Sequence, residues 1–120
     1  MNLNDIATAV YASNKAKGFW DQERNVGETL MLVVTELSES LEAHRSGKFC
    51  TQGDKVAYLE SDDMVQAFKS NIKDTFEDEL ADAVIRILDL CGGLDIDIDF
   101  HIRSKMMYNA TRPYKHGKNY

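Results

Sequence analysis

The stretch VGETLMLVVTELSESLEAHR, residues Val26 to Arg45, decides the fold class of this chain of 120 residues. Its apolar side chains recur at the i, i+3, i+4, i+7 spacing of a helix with one buried face, namely Leu30, Val33, Val34, Leu37 and Leu41. Asn25 is placed to cap the first turn, with Glu28 three residues later as in a capping box. Gly47 provides a stop. We therefore predict a long amphipathic helix over residues 26–45.

Helical patterns continue on both sides of this stretch. Residues 3–17 form a predicted first helix that Gly18 ends. A third helix is predicted over residues 72–91 and closed by Gly92-Gly93, with these residues on its apolar side: Ile72, Phe76, Leu80, Val84, Ile87, Leu88 and Cys91. Residues 94–100 alternate in the manner of a strand. Because a lone strand would have no partner, we predict a tight link and a fourth helix, capped by Asp97 or Asp99, that continues to about residue 110.

The whole chain, residues 1–120, therefore forms one predicted all-α domain with a four-helix core. Residues 48–71 are predicted as an irregular connection that contains one or two short helical turns, or as a lid. Residues 113–120 form a basic, aromatic tail. A chain of this length buries a limited fraction of its surface, so we expect self-association into a dimer or tetramer to complete the core.

Composition excludes several classes of partner. The formal net charge is -6, and this argues against a nucleic-acid polymer or an anionic membrane surface, since both are approached through basic patches. The N-terminus lacks the basic and apolar segments of a signal peptide. The two cysteines, Cys50 and Cys91, form neither a disulfide framework nor a metal motif. A cytoplasmic location is the expectation.

Two pairs of acidic residues are the candidate metal-binding groups of the sequence. Glu36 and Glu39 lie three apart on the second helix, and Glu79 and Asp82 lie three apart on the third, so each pair is adjacent on a helix surface. If the two helices pack antiparallel, four carboxylates converge at the border of the core. Oxygen ligands alone suit hard cations, Mg²⁺ or Mn²⁺.

The acidic residues have other interpretations. Paired carboxylates on helices are commonly solvated surface charge. A di-iron bundle requires Glu-x-x-His motifs, and none of the histidines, His44, His101 and His116, has a glutamate three positions before it. The chain also lacks the G-x-x-x-x-G-K-[ST] loop of P-loop NTPases. A divalent-cation site and solvated charge therefore remain as the two alternatives.

The acidic pairs and their surroundings resemble a known family. The segments VTELSESLE at 34–42 and EDELADAV at 77–84 resemble the two acidic signatures of the MazG-like all-α nucleoside triphosphate pyrophosphohydrolases. The segment SKMMYNATR at 104–112 is similar to the stretch that follows them in the dCTP-pyrophosphatase-like members. The segment WDQERN at 20–25 resembles the aromatic segment that precedes their first acidic helix. The resemblance runs in order from about residue 19 to 113.

The resemblance implies a bundle with a four-helix core, assembled as dimers or dimers of dimers. It implies hydrolysis of the α–β phosphoanhydride of (deoxy)nucleoside triphosphates to a monophosphate and pyrophosphate, with Mg²⁺ held by Glu36, Glu39, Glu79 and Asp82. Glu39, beside Glu36, would also orient the attacking water. The implied substrate contacts are Lys105 and Arg112 to phosphate oxygens, Asn109 to the nucleotide, and Trp20 stacked on the base.

Alternatives stay open for these residues and for the activity. Lys105, Asn109 and Arg112 share one helical face, which a solvated stripe would also produce, and Trp20 is equally suited to packing. The family pattern often has a lysine where this chain has Phe76. The alternatives to nucleotide hydrolysis are a catalytically silent binding or oligomerisation module, and a pyrophosphohydrolase of another diphosphate-containing metabolite.

Overall fold

The computed structural model describes residues 1–120, which form six α-helices and no strand. The helices are α1 Leu3–Ala16, α2 Val26–Arg45, α3 Gln52–Glu60, α4 Met64–Asn71, α5 Phe76–Gly93 and α6 Ile98–Ala110, followed by a 3-10 turn at Tyr114–Gly117. The predicted all-α class is confirmed. The chain divides into two compact units, residues 1–21 with 88–120 and residues 22–87. No helix combines the length and the apolar character that crossing a membrane would require.

The helices with strong local signals begin and end close to where the sequence predicts. The Asn25 side chain accepts the backbone N–H of Glu28 at 2.9 Å, and α2 spans the predicted residues. Asp97, one of the two predicted caps, accepts the N–H of Phe100 at 3.0 Å at the start of α6. Gly18, with φ of 88°, follows the end of α1. Side-chain caps satisfy N–H groups that have no partner inside a helix. The residues at which these helices begin could therefore be predicted from the sequence.

Residues 48–71 are more ordered than predicted, because they form the two helices α3 and α4 in place of an irregular connection. Thr51 and Asp54 form a capping box at the start of α3, and the Asp63 side chain accepts the N–H of Gln66 at 3.1 Å at the start of α4. The two helices pack together, with the rings of Tyr58 and Phe68 edge to face and their centroids 6.2 Å apart. A role as a lid stays a prediction.

The helix predicted over residues 72–91 begins later and ends later. Asp74 adopts φ of 66°, which an α-helix does not tolerate. Thr75 then caps α5, because its Oγ1 accepts the N–H of Asp78 at 3.2 Å. The glycine pair predicted to close the helix lies inside its last turn. A Cβ on Gly92 would lie 2.6 Å from the Tyr11 Cβ, so only glycine lets α5 approach α1 this closely.

The predicted buried stripe of α2 is wrong for the single chain. Leu30, Val34, Leu37 and Leu41 are exposed, with Leu41 at 59% of its surface, and only Val33 of the five is buried. The buried face instead carries small and polar side chains together with one valine: Thr29, Val33, Glu36, Ser40 and Ala43. On α5, three predicted core residues are likewise exposed, namely Leu80, Val84 and Ile87. Helical period places residues on a common face, but it does not show whether that face is buried within the single chain.

Candidate active site

Two contacts within residues 22–87 show that α2 and α5 run antiparallel. His44, in the last turn of α2, packs against Phe76, the first residue of α5, with ring centroids 5.1 Å apart. Towards the middle of both helices, Arg86 pairs with Glu36. Phe49 completes the aromatic group, at 5.4 Å from the His44 ring and 6.0 Å from the Phe76 ring. This is the antiparallel arrangement on which convergence of the acidic pairs depends.

The structure brings three of the four predicted ligands together. Glu36, Glu39 and Glu79 each place a carboxylate oxygen within 4.8 Å of the others. Glu36 and Glu79 are buried, at 8% and 7% exposure, whereas Glu39 is exposed to solvent. The group therefore consists of two buried carboxylates and a third that is open to water.

Glu79 has the most perturbed acidity of the group. Burial raises the pKa of its carboxyl from 4.5 to about 7, with further contributions from its hydrogen bond with Glu39 and from the charges of Glu39, Asp82 and Glu36. Glu79 lies in the first turn of α5, where the helix dipole favours an ionised acid and so lowers the pKa. Burial and the neighbouring carboxylates outweigh this effect of the dipole. The protonated Glu79 carboxyl donates to the Glu39 carboxylate, so a proton reduces the repulsion between the two groups.

Asp82 lies on the same helix but is not one of the three converging carboxylates. Burial raises the pKa of its carboxyl, as do the charges of Asp78 and Glu36, and Arg86 acts in the opposite direction. A second acidic group, which the sequence analysis did not identify, shares Glu79 and adds Asp74 and Asp78, with carboxylate oxygens again within 4.8 Å of one another. Asp78 accepts the N–H of Asp74 at 2.9 Å.

Arg86 is the basic residue of the cluster that the sequence analysis missed. Its Nε donates to Glu36 Oε1 at 2.7 Å, and the two side chains are 36% and 10% exposed. Arg86 follows Asp82 by four residues and Glu79 by seven, so helical spacing alone was a signal that all three share a face of α5. Lys73, which precedes the cluster, pairs instead with Asp74 at 3.0 Å.

The donor set fits a small hard cation. All of the converging atoms are carboxylate oxygens, the ligand type that Mg²⁺ prefers. An octahedral Mg²⁺ with bonds of about 2.1 Å holds its ligands about 3 to 4 Å apart, and the separations of up to 4.8 Å lie within a side-chain adjustment of these values. A bound cation would favour the ionised form of Glu79 and so oppose the burial and the neighbouring negative charges that raise its pKa.

The predicted phosphate-binding residues lie in α6 and just after it, within the unit of residues 1–21 and 88–120. Lys105 Nζ and Arg112 Cζ lie 5.2 Å and 5.6 Å from the centroid of the Tyr108 ring, so both cations face one aromatic side chain. Asn109 is partly buried, and its Oδ1 has no hydrogen-bond partner. The sequence analysis did not single out Tyr108, although it lies between Lys105 and Arg112 at helical spacing and its ring is close to both cations.

Trp20 belongs to the same unit and is half-buried. Its indole Nε1 donates to Asp89 Oδ1 at 2.9 Å, and its ring meets Tyr11 edge to face with centroids 5.2 Å apart. The indole also covers Gly93, where any Cβ would overlap the ring. These contacts give Trp20 a packing role, and stacking on a base stays a prediction.

Comparison with protein-family models, curated proteins and solved structures finds no match to this chain.

Proposed function

We propose that this chain is a Mg²⁺-dependent nucleoside triphosphate pyrophosphohydrolase of the MazG-like kind, which cleaves the α–β phosphoanhydride to a nucleoside monophosphate and pyrophosphate. The observation that carries the proposal is that the two acidic motifs, far apart in sequence, contribute Glu36, Glu39 and Glu79 to one cluster. Exposed acidic groups are common in proteins without a bound ion. The cluster therefore supports the proposal only together with the order of the sequence motifs from Trp20 to Arg112.

The roles of the carboxylates follow from their exposure. Buried Glu36 and Glu79, with Glu39 and Asp82 beside them, would hold Mg²⁺, or Mn²⁺ in its place. When bound, the metal would offset phosphate charge and acidify a water molecule. Glu39 is the solvent-exposed member of the converging group, so its carboxylate is the one that meets water directly and would orient it and accept its proton.

The roles proposed for the substrate contacts rest on α6. Lys105 and Arg112 supply positive charge for a polyphosphate in a chain whose net charge is -6. The buried Asn109 Oδ1 lacks a donor, and an unpaired buried acceptor costs about 1–3 kcal/mol. A nucleotide that donates to this oxygen would remove that cost, which supports a role for Asn109 in substrate binding.

Self-association is part of the proposal, and a silent oligomerisation module is its alternative. The observation that favours association is the exposed apolar face of α2, formed by Leu30, Val34, Leu37 and Leu41. Contiguous exposed apolar surface of this kind is typical of an interface. A second copy would cover this face and complete a four-helix core in the assembly.

Product analysis tests the proposed reaction. The protein is incubated with Mg²⁺ and each of several canonical and modified (deoxy)nucleoside triphosphates, and the products are separated by ion-exchange chromatography. A monophosphate and pyrophosphate in equal amounts would support the proposal and identify the base. A diphosphate with inorganic phosphate would contradict cleavage at the α–β bond. No turnover of any triphosphate would favour another diphosphate-containing metabolite or the silent module.

A further inference from the structure

The acidic cluster contains a single cationic partner. Arg86 is the only basic side chain that forms an ion pair with any of the four predicted ligands. Its bond to Glu36 uses Nε and Oε1, at 2.7 Å, and therefore occupies one of the two oxygens of that carboxylate. Because the Glu36 side chain is 10% exposed, water contributes little to its solvation, and Arg86 is its principal counter-charge.

A divalent cation and Arg86 would require the same carboxylate. A cation that binds Glu36 either uses Oε2 while a guanidinium remains on Oε1, or displaces the guanidinium. In the first case two positive groups lie close together, and in the second an ion pair is broken. Both cases reduce the net gain from binding, since like charges at short range repel and the broken pair leaves Arg86 without its partner.

We propose that Arg86 is an internal counter-cation that competes with the divalent metal for Glu36 and so limits how tightly the cluster binds it. This inference rests on the proposed function, because it takes the metal ligands from there. It assigns to Arg86 a role through Glu36, as a positioning residue, and requires no contact between Arg86 and substrate. The competition makes two separate predictions, one without metal and one with it.

Without metal, the pair predicts coupling between Arg86 and Glu36. Urea unfolding in EDTA compares the wild type with Arg86→Gln, Glu36→Gln and the double variant. We expect Arg86→Gln to be destabilised and Glu36→Gln to restore most of the loss, because the second change removes the buried charge that the first left unpaired. If Arg86→Gln fails to fold, restoration of folding by Glu36→Gln has the same meaning. Additive effects of the two substitutions would overturn the proposal.

With metal, the competition predicts tighter binding when the guanidinium is removed. Calorimetric titration with Mn²⁺ at pH 8 should give a Kd at least about tenfold lower for Arg86→Gln than for the wild type, as expected when a unit charge about 6 Å from a divalent ion is removed even at the dielectric constant of bulk water. Arg86→Lys, which keeps the charge, should stay within about twofold of the wild type on the same argument. Arg103→Gln is the matched control, since Arg103 forms an ion pair at 2.6 Å with Asp99, which is not one of the predicted ligands, and this variant should leave the Kd unchanged.

The outcomes separate this inference from the proposed function. A lower Kd for Arg86→Gln with coupling to Glu36 would support competition. Mn²⁺ binding by the wild type that Arg86→Gln leaves unchanged or weakens would overturn the competition while the metal site stands. Absence of Mn²⁺ binding from the wild type and from Arg86→Gln alike would overturn both the competition and the metal site.

Discussion

Replacing Glu79 by glutamine should stabilise the metal-free protein at alkaline pH. Glu79 is 7% exposed and shares its surroundings with Glu36, Glu39 and Asp82, and these conditions raise its pKa from 4.5 to about 7. An acid whose pKa is raised by folding binds its proton more tightly in the folded state than in the unfolded state. Its favourable contribution is therefore fully present below pH 4.5 and is lost as the pH rises through about 7.

The magnitude follows from the difference between these two pKa values. At pH 8, ionising Glu79 in the folded protein costs about 3 kcal/mol relative to the unfolded chain, and at pH 5 it costs less than about 1 kcal/mol. Glutamine has a similar shape, donates a hydrogen bond to Glu39 as the protonated acid does, and cannot ionise. Glu79→Gln should therefore gain about 3 kcal/mol at pH 8, roughly 10 °C in Tm for a chain of this size.

Urea unfolding in EDTA at pH 5 and pH 8, at a fixed protein concentration, measures the effect. Glu42→Gln is the control, because Glu42 is exposed and its partner Arg45 lies at 3.9 Å, so this variant should differ little from the wild type at either pH. A gain for Glu79→Gln that is the same at pH 5 and pH 8 would refute the reasoning, as would a loss of stability at pH 8.

Three further predictions concern packing. Trp20→Phe should lose about 2 kcal/mol in urea unfolding, because it removes a hydrogen bond to the buried side chain of Asp89; an unchanged stability would show that the indole N–H contributes nothing. Gly92→Ala should lose about 1–3 kcal/mol, since its Cβ would lie 2.7 Å from a backbone oxygen of α1, whereas Gly53→Ala, with only an ordinary contact at 3.6 Å, should be nearly neutral. Leu37→Lys should shift a dimer or tetramer towards monomer in light scattering, and an unchanged mass would exclude this face of α2 as the interface.

The element predicted best from sequence is the one in which apolar period and local capping agree, namely α2 with Asn25 as its cap. α6 has its cap, Asp97, but no apolar period, and it was placed correctly because a lone strand at residues 94–100 would have had no partner. α3 and α4 have nine and eight residues, too few for a convincing apolar period, although their capping residues were present in the sequence. Short helices of this kind depend on packing against each other, and this packing is visible only in the structure.

The candidate site was predictable in its acidic members but not in its charge balance. Spacing placed Glu36 beside Glu39 and Glu79 beside Asp82, and the fold joined three of them. The spacing could not show that Arg86 forms an ion pair with Glu36, because that pairing depends on how α5 is rotated against α2. For the same reason the helical period of α2 identified which apolar side chains share a face, but it could not show that this face is exposed to solvent.

Pyrophosphate release by the wild type, Glu39→Gln and Glu42→Gln tests whether the carboxylate cluster is the active site. The three proteins are assayed side by side with Mg²⁺ and the most reactive nucleoside triphosphate, with folding checked by circular dichroism. We expect Glu39→Gln to lose at least about 100-fold in rate, as for removal of a general base, while Glu42→Gln keeps the wild-type rate. Full activity in a folded Glu39→Gln variant would contradict the assignment of this cluster as the active site.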